Sequence, residues 1–140
     1  MDKWEAQHDF WNSFGVPAYE EHSVPDDAPF PRITYQASSS VFESPVPITA
    51  SVWTKSTSWA QADSIADLIE LYILNQGRSI QMPKGEGTIT VNIPVCKPID
   101  NGYMRIFIGD TTFAQKMDDP NDNQIKRTIL NVNFEFMSNR

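Results

Sequence analysis

The chain has 140 residues, of which 40% are hydrophobic and 21% charged, a composition typical of one soluble globular domain over residues 1–140. Its 11 basic and 18 acidic residues give a formal net charge of -7, which argues against sequence-specific DNA binding. No apolar run reaches the roughly 20 residues of a membrane span, the first residues are too charged for a signal peptide, and the single cysteine, Cys96, cannot form a disulfide within the chain. We therefore expect a protein that folds in the cytosol.

The first predicted element is an amphipathic helix over residues 2–14. Its large apolar residues Trp4, Trp11 and Phe14 recur at spacings of seven and three, and Phe10 widens the stripe. The glycine that follows fits a left-handed helix cap, and a short extended segment comes next. Three prolines and four acidic residues between positions 20 and 31 then predict an exposed crossing loop.

Two strands follow, over residues 32–37 and 48–54. In the second strand, Ile48, Ala50 and Val52 alternate with polar or aromatic neighbours. This alternation predicts a sheet with one buried face.

The connection over residues 38–47 is rich in serine and proline, so we expect it to be long and mobile. Val41 and Phe42 are apolar residues at its tip. They either fold back onto the core or contact a partner subunit.

The strongest local signal is a second helix over residues 58–75. Ser58 is its expected N-cap, with Gln61 three residues later in a capping-box arrangement. One face should cover a sheet, and Gly77 should end the helix. The residues expected on that face are Ala62, Ile65, Ala66, Ile69, Tyr72 and Ile73.

Further strands are predicted in the rest of the chain. Residues 79–82 and 88–93 flank a glycine-containing turn and are compatible with a hairpin, and 103–108 is another short apolar run. A polar loop at 118–123 leads to a long final strand in which apolar and polar residues alternate up to Phe136.

The order of these elements predicts the fold class. Helix, strands, helix, strands is the order of an α+β domain. We expect a single largely antiparallel β-sheet packed against the two main helices, about 2–14 and 58–75.

Few residues in the chain are candidates for catalysis or metal binding. His8 and His22 are the only histidines, and neither lies in a recognisable catalytic motif. Asp118, Asp119 and Asp122 form the richest acidic cluster. Residues 119–123 resemble the first half of an EF-hand loop, but the glycine and the glutamate of its second half are missing. The single cysteine fits a small apolar filler. We therefore expect a protein that is not an enzyme and that has no cofactor and no metal site.

Two tryptophans, Trp53 and Trp59, flank the corner between the second strand and the second helix. Trp53 lies on the polar phase of its strand, where it either covers the second face of the sheet or contacts a partner. Exposure and composition also favour the loops at 38–47 and 118–123 as assembly contacts. The residues predicted at an assembly interface are Val41, Phe42, Trp53, Trp59, Asp118, Asp119 and Asp122.

Five segments of the chain resemble one protein family. They are 15–19 (GVPAY), 28–35 (APFPRITY), 48–54 (ITASVWT), 58–67 (SWAQADSIAD) and 128–136 (TILNVNFEF). In this order, and over most of the chain, they resemble the tail terminator, or tail completion, family of long-tailed bacteriophages and prophages. The whole chain is therefore expected to be one tail-terminator-like domain.

The resemblance implies a structural virion protein at the head-proximal end of the tail, assembled in the bacterial cytoplasm. It would form a homo-oligomer, a hexameric ring, on the last ring of the tail tube protein, stop tube growth and offer a surface to a head-completion or neck protein. Phage DNA would pass through the lumen without specific binding. The net charge of -7 suits an acidic lumen that does not retain phosphates.

Two other classes of function stay open. Another neck or tail component, such as a tail tube or head-completion protein, differs only in which surface polymerises. A small ligand-binding or enzyme domain with an α+β fold would need a polar pocket that the sequence does not indicate.

Overall fold

A computed structural model gives the structure of the chain. It describes residues 1–39, 41–74, 80–91, 96–109, 112–119 and 121–138, with the backbone alone for 80–84 and 90–91. The helices are α1 (Lys3–Asn12) and α2 (Ala60–Leu74). The strands are β1 (Ala18–Glu20), β2 (Arg32–Tyr35), β3 (Val46–Lys55), β4 (Ile80–Lys84), β5 (Gly87–Val91), β6 (Cys96–Ile99), β7 (Gly102–Phe107), β8 (Ala114–Asp118) and β9 (Ile125–Ser138).

Seven of these strands form one sheet in the order β1-β2-β3-β9-β7-β6, and β8 pairs with β9 beside β7. Every pairing in the sheet is antiparallel except that of β1 with β2. β4 and β5 form a separate hairpin. The predicted α+β class with a largely antiparallel sheet is confirmed.

The long strand β9 lies at the centre of the sheet, and its side chains alternate between half-buried and buried positions from Ile125 to Met137. Leu130, Val132, Phe134 and Phe136 point to the side on which both helices pack, which we call the covered face. The intervening side chains point to the opposite side, the uncovered face. The alternation predicted for the final strand is therefore confirmed.

Helix α1 begins after Asp2, whose carboxylate accepts a hydrogen bond of 2.8 Å from the Glu5 backbone N–H. Phe10 and Trp11 are fully buried, and both rings contact Phe134 of β9. The expectation that Trp4 belongs to this buried stripe is wrong, because its side chain is 53% exposed. At about 100° per residue, Trp4 lies at the edge of the face that packs on the sheet.

The turn after α1 requires glycine. The helix ends at Asn12, two residues before the predicted end, and Gly15 has φ +81°, as a left-handed cap requires. A Cβ at this position would lie 2.7 Å from Cδ1 of Ile89 on β5. Gly15 therefore lets the hairpin pack closely against the turn.

Helix α2 buries the six residues predicted for its apolar face. It begins at Ala60 rather than at the residue after Ser58. The Ser58 hydroxyl accepts a hydrogen bond of 3.1 Å from the Ala60 N–H, and the first helical bond runs from the Asp63 N–H to the Trp59 carbonyl. Ser58 therefore lies two positions before the first helical residue, whereas the N-cap of a capping box lies one position before it. Gly77 lies outside the described residues.

In the connection between β2 and β3, Phe42 and Glu43 contact the rest of the fold. Phe42 packs against the core, with the Lys3 ammonium 4.8 Å from its ring centroid. The Glu43 N–H donates to the Phe136 carbonyl, and the Glu43 carboxylate accepts from the Ser138 N–H and hydroxyl. The loop is therefore fastened to the end of β9.

The remaining predictions differ from the structure mainly at the ends of elements and in two short strands. β3 is longer than predicted, the hairpin of β4 and β5 is confirmed, and the segment before β2 is largely exposed. β6 and β8 were not predicted, and Asp118 ends β8 rather than beginning a loop. Within the described ranges, neither helix has the length and apolarity needed to cross a membrane.

Candidate assembly surface

The uncovered face of the sheet presents apolar and aromatic side chains to solvent. Tyr103 on β7 and Met117 on β8 are 45% and 46% exposed, and Trp53 and Ile129 are half-buried. No helix among the described residues packs on this side. A sheet face of this composition is typical of a protein contact surface.

The same face is basic, although the chain as a whole is acidic. By strand register its charged residues are four basic and one acidic. They are Arg32, Lys55, Arg105, Arg127 and Glu135. The other acidic residues described are on the helices, the loops, the hairpin or the inward phase of β1 and β8. The charge of the chain is therefore distributed unevenly between its sides.

Three neighbouring strands bring Arg32, Trp53 and Arg127 into one row. The guanidinium carbons of Arg32 and Arg127 lie 5.8 and 4.8 Å from the centroid of a Trp53 ring, within cation–π range. The indole N–H of Trp53 donates a hydrogen bond of 2.8 Å to the Thr34 hydroxyl. The row is therefore held in a defined orientation by the sheet beneath it.

This row forms one wall of an open cleft of about 370 Å³. Arg127 donates through Nε to the Ser51 hydroxyl at 2.9 Å, and Arg32 donates through Nη1 to the Ala28 carbonyl at 2.9 Å. Neither guanidinium has a carboxylate partner among the described residues. The cleft thus holds two cations that form no ion pair within the described part of the chain, with Glu21 as the one carboxylate among the residues that line it.

The rim of the cleft is formed by the loop after β1, through Glu21, His22 and Val24. The His22 ring lies 2.8 Å from Oε1 of Glu20, and the hydrogen bond and charge of that carboxylate raise the pKa of His22 above 6.5. Burial by itself raises the pKa of Glu20, but the two hydrogen bonds from His22 outweigh it and lower that pKa below 4.5. The rim therefore gains positive charge as the pH falls through the raised pKa of His22.

The residues predicted at an interface do not form one surface. Val41 is 74% exposed, whereas Phe42 beside it is partly buried against the core. Oδ1 of Asp118 lies 3.9 Å from the Lys126 ammonium. The carboxylates of Asp119 and Asp122 accept hydrogen bonds from backbone N–H groups of their own loop.

The two predicted tryptophans lie on opposite sides of the sheet. Trp53 is on the uncovered face, whereas Trp59 lies at the start of α2 on the helix side. The ammonium groups of Lys116 and Lys126 lie 5.3 and 5.5 Å from a Trp59 ring centroid. Trp59 therefore already has its cationic partners within the subunit.

Sequence reasoning missed Arg32 and Arg127. Each lies on the outward-facing phase of its strand, as Trp53 does, and the alternation of apolar and polar residues along the strands indicates this phase. The pairing register that puts them on either side of Trp53 is not visible in a single sequence, because β3 and β9 are distant in the chain.

The other reactive groups of the described chain are dispersed. His8 is exposed, with Nδ1 3.2 Å from the Tyr35 hydroxyl. Cys96 is exposed, so the expectation of an apolar filler is wrong; its place on the edge strand β6 leaves it outside the core. Among the residues described, no three His, Cys, Asp or Glu side chains are grouped so as to hold a metal ion.

A scan against protein-family models, a search of curated proteins and a search of solved structures each find no match to this chain.

Proposed function

We propose that this chain is a non-enzymatic structural protein that assembles into a ring, and that the ring caps the tail tube of a bacteriophage. The observation that carries the proposal is the uncovered face of the sheet. It presents exposed Tyr103 and Met117 together with the guanidinium groups of Arg32 and Arg127, which form no ion pair with any described residue. Such a surface favours burial against another protein.

The resemblance of five segments to tail terminators supports the particular assembly. In this proposal a hexameric ring sits on the last ring of tail tube protein, stops its growth and presents a surface to a head-completion or neck protein. The site of action is then the head-proximal end of the tail in the virion.

The charge distribution constrains how a subunit lies in the ring. Phage DNA passes through the lumen without sticking only if the wall repels phosphates. The basic uncovered face therefore belongs in a protein contact, and the acidic loops and helices belong at the lumen or rim. A ring structure with Arg32, Arg105 and Arg127 on the pore wall would contradict this part of the proposal.

Negative-stain electron microscopy tests the proposal directly. The purified protein is examined alone and after mixing with uncapped tail tubes. We expect closed single rings, and tubes of fixed length with extra density at one end. Tubes that keep growing in the presence of the protein would exclude a terminator. Open stacks of the protein alone would instead indicate a tail tube protein.

A further inference from the structure

The cleft between Arg32, Trp53 and Arg127 contains two guanidinium groups that form no ion pair with any described carboxylate. Arg105, on the same face, shows the alternative arrangement. It lies over the Phe107 ring and has its own carboxylate, Glu135, at 4.0 Å. The contrast indicates that the partner of the Arg32 and Arg127 pair comes from outside the subunit.

A complementary surface exists on helix α2. Asp67, Leu71 and Leu74 follow at spacings of four and three, which places them on one side of the helix, with Glu70 beside them. Leu71 and Leu74 are 48% and 61% exposed, and Asp67 is exposed. This acidic and apolar stripe fits a basic and aromatic cleft.

The carboxylates of Asp67 and Glu70 on this stripe also have no ion-pair partner in the described part of the chain. α2 contains three acidic residues and no lysine or arginine. Asp63 pairs with Lys116 at 3.3 Å, but Asp67 and Glu70 form no ion pair with any described residue. The helix thus has two unpaired anions beside two exposed leucines.

One subunit cannot join its own two surfaces. α2 packs on the covered face, whereas Arg32 and Arg127 lie on the uncovered face, so the sheet separates them. We propose that the Asp67 and Glu70 carboxylates of one copy bind the Arg32 and Arg127 guanidinium groups of a second copy. The contact joins two different patches, which makes it heterologous and able to generate a ring.

Local charge favours this arrangement over the symmetric one. The repulsion between two copies at -7 is common to both, but a symmetric contact also brings two basic cleft faces together. A head-to-tail contact instead pairs unlike charges, with leucines, Trp53 and Met117 supplying apolar area. The inference rests on the proposed function for its ring, but the contact itself is tested without tail tubes.

Two variants separate the halves of the contact. Arg32→Gln with Arg127→Gln disables the cleft, and Asp67→Lys with Glu70→Lys disables the helix. By sedimentation velocity, we expect the wild type to self-associate and each variant to associate about tenfold or more weakly. Mixed in equal amounts, the two variants should form a one-to-one dimer and nothing larger, because each retains the half that the other lacks.

Each control is matched in net charge to one of the two variants. Lys97→Gln with Lys116→Gln removes two cations of the covered side that already have carboxylates, Asp9 and Asp63, and changes the net charge as much as the cleft variant. Glu5→Lys with Glu86→Lys changes the net charge as much as the helix variant. Both controls should associate like the wild type. The helix variant changes mainly exposed side chains, so it tests the contact even if the cleft variant folds poorly.

The outcomes decide separately for the contact and for the proposed function. Association by both variants at wild-type strength, a mixture that contains only monomers, or a wild type that stays monomeric to about 1 mM would overturn the contact. Rings that cap tubes in the cleft variant would also overturn it and leave the proposed function standing. A wild type that forms this contact but never caps a tube would retain the contact and remove the function.

Discussion

On β9, neighbouring side chains have opposite environments. Phe134 is fully buried against Phe10 and Trp11, whereas Asn133 and Glu135 on either side of it are half-exposed on the other face. The covered face is held by apolar contact with both helices. The uncovered face is held by the backbone ladder, a few side-chain hydrogen bonds and cation–π contacts.

This difference separates the residues that stabilise the fold from those available for recognition. Burial of large side chains contributes most of the stability of a small domain. Changes on the covered face should therefore unfold the chain, whereas changes on the uncovered face should act mainly on association. Four measurements test that division, taken in order of decreasing effect.

The largest effect is expected from Phe134→Ala on the covered face. Removing this ring leaves a cavity against α1 and should lower the free energy of unfolding by about 3–5 kcal/mol, measured by urea denaturation. Ile129→Ala on the uncovered face is the comparison and should cost about 1 kcal/mol, because its side chain is only half-buried. Equal losses from both would show that the two faces do not differ as described.

Gly15→Ala tests how tightly the hairpin of β4 and β5 packs against the turn after α1. The left-handed backbone alone should cost about 1–2 kcal/mol in an alanine, and the new methyl group would also press on Ile89. Thermal unfolding of Gly15→Ala, Ile89→Ala and the double variant separates the two causes. Additive losses would mean that Ile89 does not constrain the turn.

Trp53→Phe tests the uncovered face itself. It removes the hydrogen bond to Thr34 and should lower the free energy of unfolding by about 0.5–1.5 kcal/mol. Thr34→Val removes the same bond, so the double variant should be hardly less stable than either single one. If the double variant loses the sum of the single losses, the bond does not account for them.

The smallest effect concerns the pair of His22 and Glu20 at the rim of the cleft. The raised pKa of His22 means that the pair stabilises the fold below pH 6.5 and that this contribution is lost as the pH rises through the folded pKa. For Glu20, whose pKa is lowered, the contribution is present above pH 4.5 and lost as the pH falls. Water screens the pair, so the stability change is small.

Titration of the imidazole by NMR measures this pair directly. In the wild type the midpoint for His22 should lie above 6.5, and in Glu20→Gln it should return towards that value. An unchanged midpoint in the variant would mean that a group other than Glu20 raises the pKa of His22.

Much of the covered face was predictable, because burying one side of a helix or strand requires apolar residues at regular spacings in the sequence. The six inward residues of α2 and the alternation along β9 follow directly from apolar spacing. The same reasoning was wrong for Trp4, because a large apolar side chain at the edge of a helix face can stay exposed. β8 was missed because all of its residues are exposed, which removes the periodic signal.

The candidate surface was only partly predictable. Trp53 was identified by its phase on β3, but its grouping with Trp59 failed because the turn after β3 carries Trp59 to the helix side. The role of Phe42 in the core rather than at a partner depends on the anchoring of its loop by Glu43. Such contacts join distant segments, and a local pattern contains no information about them.

The central position of β9 also governs when the sheet can form during synthesis. Lys55 pairs with Ile125 and Val46 with Phe134, so β3 has to wait for a partner made at least 70 residues later. At about 5–20 residues per second, the ribosome needs roughly 4 seconds or longer to supply that strand. Until then β3 has β2 on one edge only, and the edge that β9 will occupy stays unpaired while the nascent chain is being made.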